Sequence, residues 1–103
     1  MIDVRYTVEG NKHTLSVCGH ANYSTYGNDI VCAGASALVQ ALIGWVDNAT
    51  CGVECIDQDE RNNEVIVSCI GGKDVAAVFY MTYIGLAQIA EAYPNHVQID
   101  ISE

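Results

Sequence analysis

Residues 2–9 alternate in character, with Ile2, Val4, Tyr6 and Val8 set against Asp3, Arg5, Thr7 and Glu9. A period of two with one apolar face predicts a half-buried strand. Gly10-Asn11-Lys12 reads as a turn that also takes in His13, and the alternation resumes through Leu15 and Val17 to Cys18. The first two strands therefore form a hairpin. From Gly19 to Asn28 the periodicity stops and loop-forming residues dominate. Ten residues make a long connection in so small a chain, and long loops are often functional or mobile. Asp29 is a natural N-cap for a helix over about Ile30 to Val46, with Val31, Ala35, Leu38, Leu42 and Val46 forming an apolar stripe.

A second hairpin follows. Gly52 to Asp57 alternates through Val53 and Cys55, Asp59 to Asn63 is a polar turn, and Val65, Val67 and Cys69 line one face of the returning strand. Gly71-Gly72 leads into a second helix, about Lys73 to Ala92, which is apolar around most of its girth. Such a helix is expected to be buried on more than one side, against the sheet and against either the first helix or a second subunit. Tyr93-Pro94-Asn95 ends it, and His96 opens a last strand through Val97, Ile99 and Ile101. The order ββαββαβ, without an internal linker or repeat, predicts one domain over residues 1–103. Its class is α+β, a mostly antiparallel sheet with two helices packed on one face.

Composition narrows the function. Half of the 103 residues are apolar and only one is Pro, which excludes a disordered or fibrous chain. Thirteen acidic residues against four basic ones give a formal charge of −9. That charge argues against general nucleic-acid or anionic-lipid binding and suits a basic partner, although acidity also serves solubility alone. No apolar run approaches the ~20 residues that cross a bilayer. Met1 to Arg5 has no signal-peptide pattern, so a cytoplasmic, reduced setting is expected. Five cysteines, an odd number, fit free thiols better than a disulfide framework.

Cys32 is set apart by its address. With Asp29 as cap it is the third helical residue, where free N–H groups and the positive end of the helix dipole favour a thiolate. A helix end contributes typically 0.3–1 kcal/mol, too little alone, so a cation is wanted as well. His20 is available where the second strand leaves the sheet, and a loop folded back over the helix start would make a Cys–His dyad. N–H groups around Cys32 would then face a developing oxyanion. The plainer alternatives are a small buried thiol and a loop histidine bonded to backbone. Asp29 is read first as a cap and second as an orienter of His20. Ser36, four residues beyond Cys32 on the same helical face, either reaches the site or bonds back along its helix.

The other thiols read as structural, with Cys18, Cys55 and Cys69 on inward strand positions. Cys51 and Cys55 lack the second ligand pair that zinc wants. Cys18, His20 and Cys32 remain a conceivable metal set. His13 and His96 have no evident companion group. Tyr23 and Tyr26 either line a substrate groove or close the loop onto the body.

Gly19-His20-Ala21, followed by Gly27-Asn28-Asp29-Ile30-Val31-Cys32-Ala33 and Ser36, closely resembles the bacterial ribosomal-processing cysteine protease family, Prp. The likeness covers nearly the whole chain. It implies a homodimeric cysteine endopeptidase that needs no cofactor or metal. Its substrate would be a large-subunit ribosomal protein precursor, cut after an aromatic residue to remove a basic N-terminal extension. It places the nucleophile on Cys32 and the histidine on His20, with Asp29 and Ser36 in supporting positions. Gly19, Ala21, Tyr23, Tyr26 and Gly27 then belong to a loop that orders around substrate. A non-catalytic ribosome-associated module of the same fold is the main alternative, and a thiol-dependent metal or redox protein a third.

Overall fold

The computed structural model describes residues 1–24, 29–48, 52–59 and 63–102, without the side chains of residues 52–55, 58, 59 and 102. Tyr26, Gly27 and Cys51, and the side chain of Cys55, therefore lie outside the described residues.

The elements are β1 (Ile2–Glu9), β2 (Lys12–Cys18), α1 (Ile30–Asn48), β3 (Gly52–Asp59), β4 (Glu64–Ile70), α2 (Lys73–Ala92) and β5 (Val97–Ser102). They form one sheet in the order β3-β4-β2-β1-β5. Three strand pairs are antiparallel and one, β1 with β5, is parallel. The α+β class and the ββαββαβ order hold as expected. The hairpin begins earlier than expected, because His13 is already the second residue of β2.

Register decides what each strand buries. Val4 pairs with Val17, Tyr6 with Leu15 and Val8 with His13, while Val17, Leu15 and His13 face Val65, Val67 and Cys69 of β4. These residues make one continuous face, and both helices pack on it. The buried stripe of α1 is Val31, Ala35, Val39, Leu42, Ile43 and Val46, and α2 buries Val75, Phe79, Thr82 and Leu86. Cys69 is fully buried there, as expected. Cys18 is not. It pairs with Asp3 and with Glu64, on the opposite and largely polar face, and is only half-buried. The physical reason is parity: Cys18 is one residue out of phase with Leu15 and Val17, and a single step reverses the face.

The two helices touch through small residues. A methyl on Gly85 would lie 2.9 Å from both Leu38 methyl carbons, and one on Gly34 would lie 3.4 Å from Ile89 Cδ1. The second helix is thus covered by the sheet and by α1. Its third side stays open, with Tyr80, Met81 (68% exposed) and Ile84 facing solvent. Contrary to expectation, Ile30–Asn48 and Lys73–Ala92 are each long and apolar enough to cross a membrane by length and composition. What they lack is charge along their length rather than polar residues as such. Here each lays its buried stripe on the sheet.

His13 is buried, its Nδ1 2.8 Å from the Tyr6 hydroxyl and its ring 5.7 Å from that of Phe79. It has companions that its position in the sequence does not reveal. Burial disfavours the imidazolium and lowers the His13 pKa below its ordinary 6.5. Below that value the unfolded chain binds more protons than the folded one, so this group's contribution is complete above pH 6.5 and is lost on acidification.

Gly19, just beyond β2, has a φ of +96°, and its position brings the Met1 carbonyl against the place a Cβ would occupy. Its N–H donates to the Asn63 carbonyl at 3.0 Å, and Asn63 Nδ2 donates to the Gly19 carbonyl. Backbone strain of this kind costs of order 1–3 kcal/mol, and the collision with backbone adds to it. Gly19→Ala is therefore expected to lower unfolding stability by about 2–3 kcal/mol, measured by urea denaturation. An unchanged midpoint would contradict the assigned geometry. In thermal melts between pH 7.5 and 5, wild type should lose stability below about pH 6.5 more steeply than His13→Gln. Parallel curves would exclude His13 as the group responsible.

Candidate active site

The start of α1 and the segment after β2 are joined through one carboxylate. Asp29 caps α1: its carbonyl accepts from the Ala33 N–H at 3.0 Å, and its Oδ1 accepts from the Cys32 N–H at 2.9 Å. Its other oxygen, Oδ2, accepts from the Tyr23 N–H at 3.0 Å and the Ser24 N–H at 3.4 Å. The bond from the Cys32 amide is the chief cause that holds the Asp29 carboxyl below its ordinary range. The loop amides add to it, and together they outweigh the opposing effect of desolvation. Asp29 is thus ionised at neutral pH and spends its charge on backbone N–H groups.

Held in this way, the loop sets Ala21 against the nucleophile candidate. The Ala21 N–H donates to Cys32 Sγ at 3.3 Å, and the Ala21 side chain is 1% exposed. A larger residue has no room at this point, which gives the Gly-His-Ala motif a physical reading. Glycine makes the bend, histidine points outward, and alanine fits beneath.

His20 is exposed and lines the same cavity as Cys32, Asp29 and Ser36, a space of about 670 Å³ beside the first turns of α1. Val17, Val39 and Val65 give that cavity an apolar wall, and Asn63 and Gln40 add polar groups. The structure therefore brings His20, Asp29, Cys32 and Ser36 to one place. Tyr23 is exposed but has its ring edge-on to those of Tyr93 and His96, at 5.2 and 5.3 Å. It closes the loop onto the body, the second of the two expected roles.

Two expectations need correction. The N–H groups at the helix start are not free for an oxyanion, because those of Cys32 and Ala33 are both spent on Asp29. Among the described residues, a polar hydrogen aimed at the sulfur comes from the loop, from the Ala21 N–H. A metal set of Cys18, His20 and Cys32 is not assembled either. Cys18 faces away on the outer side of the sheet, and no three His, Cys, Asp or Glu among the described residues form a metal-holding group.

Sequence reasoning also missed His96. Its Nδ1 lies 2.8 Å from the Ala21 carbonyl oxygen, and its ring packs against Tyr23. A pair separated by 75 positions leaves no local spacing signal. Asn63, read only as a turn residue, holds Gly19 through both main-chain and side-chain bonds.

The model of the family described as cysteine protease Prp matches residues 1–98. A Mycoplasma genitalium ribosomal processing cysteine protease Prp is 31% identical over 96 residues, covering 87% of this chain and 89% of that one. Its Staphylococcus aureus counterpart is 27% identical over 101 residues, 96% of this chain and 95% of that one. The S. aureus protease crystallised with a covalently linked product peptide superposes with a TM-score of 0.86 at 24% identity, covering 98% of this chain and 99% of that chain. A Streptococcus mutans protein superposes with a TM-score of 0.79 at 25% identity, over 100% of this chain and 96% of that one. The chain belongs to the cysteine protease Prp family.

Proposed function

We propose that this cysteine protease removes the N-terminal extension of a large-subunit ribosomal protein precursor, with Cys32 as nucleophile and His20 as acid–base partner. The observation that carries the reading is the cavity shared by His20 and Cys32, with the sulfur already accepting a hydrogen bond from the Ala21 N–H.

The Cys32 thiolate adds to the scissile carbonyl carbon, and the C–N bond breaks as the His20 imidazolium gives its proton to the leaving amine. The acyl group is left as a thioester on Cys32. Water then attacks the thioester, His20 takes its proton, and the carboxylic acid leaves as the Cys32 thiolate is regenerated beside the His20 imidazolium. As sulfur becomes bonded to carbon, the Ala21 N–H loses its anionic partner and lies next to the atom that bears the new oxyanion. Asp29 keeps α1 and the loop in register during these steps, while Ser36 lines the same space one helical turn further on. No metal or cofactor enters this scheme.

Support for the substrate comes from the relatives, which are named for ribosomal processing, and from the S. aureus protease described in complex with a substrate peptide. The formal charge of −9 suits a basic target. The reading places the protein in the cytoplasm, where such precursors are made. It also assigns the open side of α2 at Tyr80, Met81 and Ile84 to a second copy of the chain.

The test is incubation with the full-length precursor of the same organism, followed by intact mass. Wild type is expected to release one N-terminal fragment. Cys32→Ala should release none, and His20→Ala should be slower by 10²-fold or more, as for loss of a general acid–base group. Cleavage by Cys32→Ala would overturn the assignment. Stable binding of the precursor without cleavage by wild type would turn the reading to a binding module.

A further inference from the structure

We propose that His96 is a positioning residue for this reaction, holding through the Ala21 carbonyl the residue whose amide points at the Cys32 sulfur. The inference rests on Cys32 being the nucleophile. A carbonyl oxygen only accepts, so the 2.8 Å contact requires the proton on His96 Nδ1.

His96 is itself fixed from both directions. Its N–H donates to the Tyr93 carbonyl at 2.9 Å, and its carbonyl accepts from the Ile2 N–H at 2.9 Å, at the start of the parallel β1–β5 pairing. The ring is turned edge-on to Tyr23, which in turn is edge-on to Tyr93. It therefore reaches the loop from the residue that leads into β5.

Ala21 is then held at three points: its carbonyl by His96, its methyl in the core, and its N–H on Cys32 Sγ. The first two are structural and determine the third. Without the His96 donor, the Ala21 carbonyl has no fixed partner on the sheet. The amide that faces the sulfur then loses its aim, and so does the adjoining His20.

Two variants separate the donor from the ring. His96→Phe keeps an aromatic ring against Tyr23 but cannot donate, whereas His96→Asn supplies an N–H donor near the position of Nδ1 without the ring. The first readout is the rate of Cys32 alkylation by iodoacetamide at pH 7, located by peptide mass mapping. The second is turnover of a peptide spanning the extension junction of the ribosomal precursor. Melting temperatures serve as the control for folding. His96→Phe is expected to slow alkylation of Cys32 about fivefold, the worth of one ordinary hydrogen bond, and to lower kcat at least as much with little change in KM. His96→Asn is expected to recover most of both.

Wild-type alkylation in His96→Phe would overturn the proposal. So would a His96→Asn variant as slow as His96→Phe, because ring packing would then be the whole role of His96. Alkylation needs no substrate. If wild type fails to cut the peptide while the alkylation order holds, the ribosomal substrate is wrong and the positioning role stands.

Discussion

The arrangement depends on the bond that Asp29 makes in two directions. An N-cap carboxylate normally satisfies the orphan amides of its own helix and nothing more. Here one oxygen caps α1 through Cys32 while the other takes the amides of Tyr23 and Ser24. The same side chain thus fixes Cys32, the proposed nucleophile, and the segment that folds over it. Both carboxylate oxygens are thereby occupied by backbone N–H donors.

Everything else positions that junction. The apolar face of β1, β2 and β4 carries α1 on Val31, Ala35, Val39 and Val46, which puts the first turn of the helix beside the end of β2. Gly19 turns the chain out of β2 at a positive φ that an L-residue adopts only under strain, and Asn63 at the start of the β4 side locks that turn. The parallel pairing of β1 with β5 brings His96 back to the same corner. Residues from four separate stretches meet there.

Much of this was legible from local pattern. Period-two alternation located both hairpins, and helical spacing with Asp29 as cap located α1 and the address of Cys32. One parity error was the main failure within the elements. Cys18 was assigned to the core although it falls out of phase with Leu15 and Val17, and the ladder places it opposite Asp3. The apolar girth of α2 pointed to burial on more than one side, and α2 is covered by the sheet and by α1, with Tyr80, Met81 and Ile84 on the side left open. At the site, motif residues were found and their partners were not. Hydrogen bonds from His96 to Ala21 and from Asn63 to Gly19 join positions 75 and 44 residues apart, and only the sheet order brings them together. The amides at the helix start were expected to be free, but the cap that makes a helix start at Asp29 also takes up those of Cys32 and Ala33.

The double role of Asp29 is tested most directly by backbone amide hydrogen exchange in wild type and Asp29→Asn. Asparagine caps a helix about as well as aspartate, but its side-chain nitrogen cannot accept from the loop. The account predicts that exchange at Tyr23 and Ser24 quickens by an order of magnitude or more while α1 amides keep their protection. Unchanged exchange at Tyr23 and Ser24 would contradict it and reduce Asp29 to a simple cap.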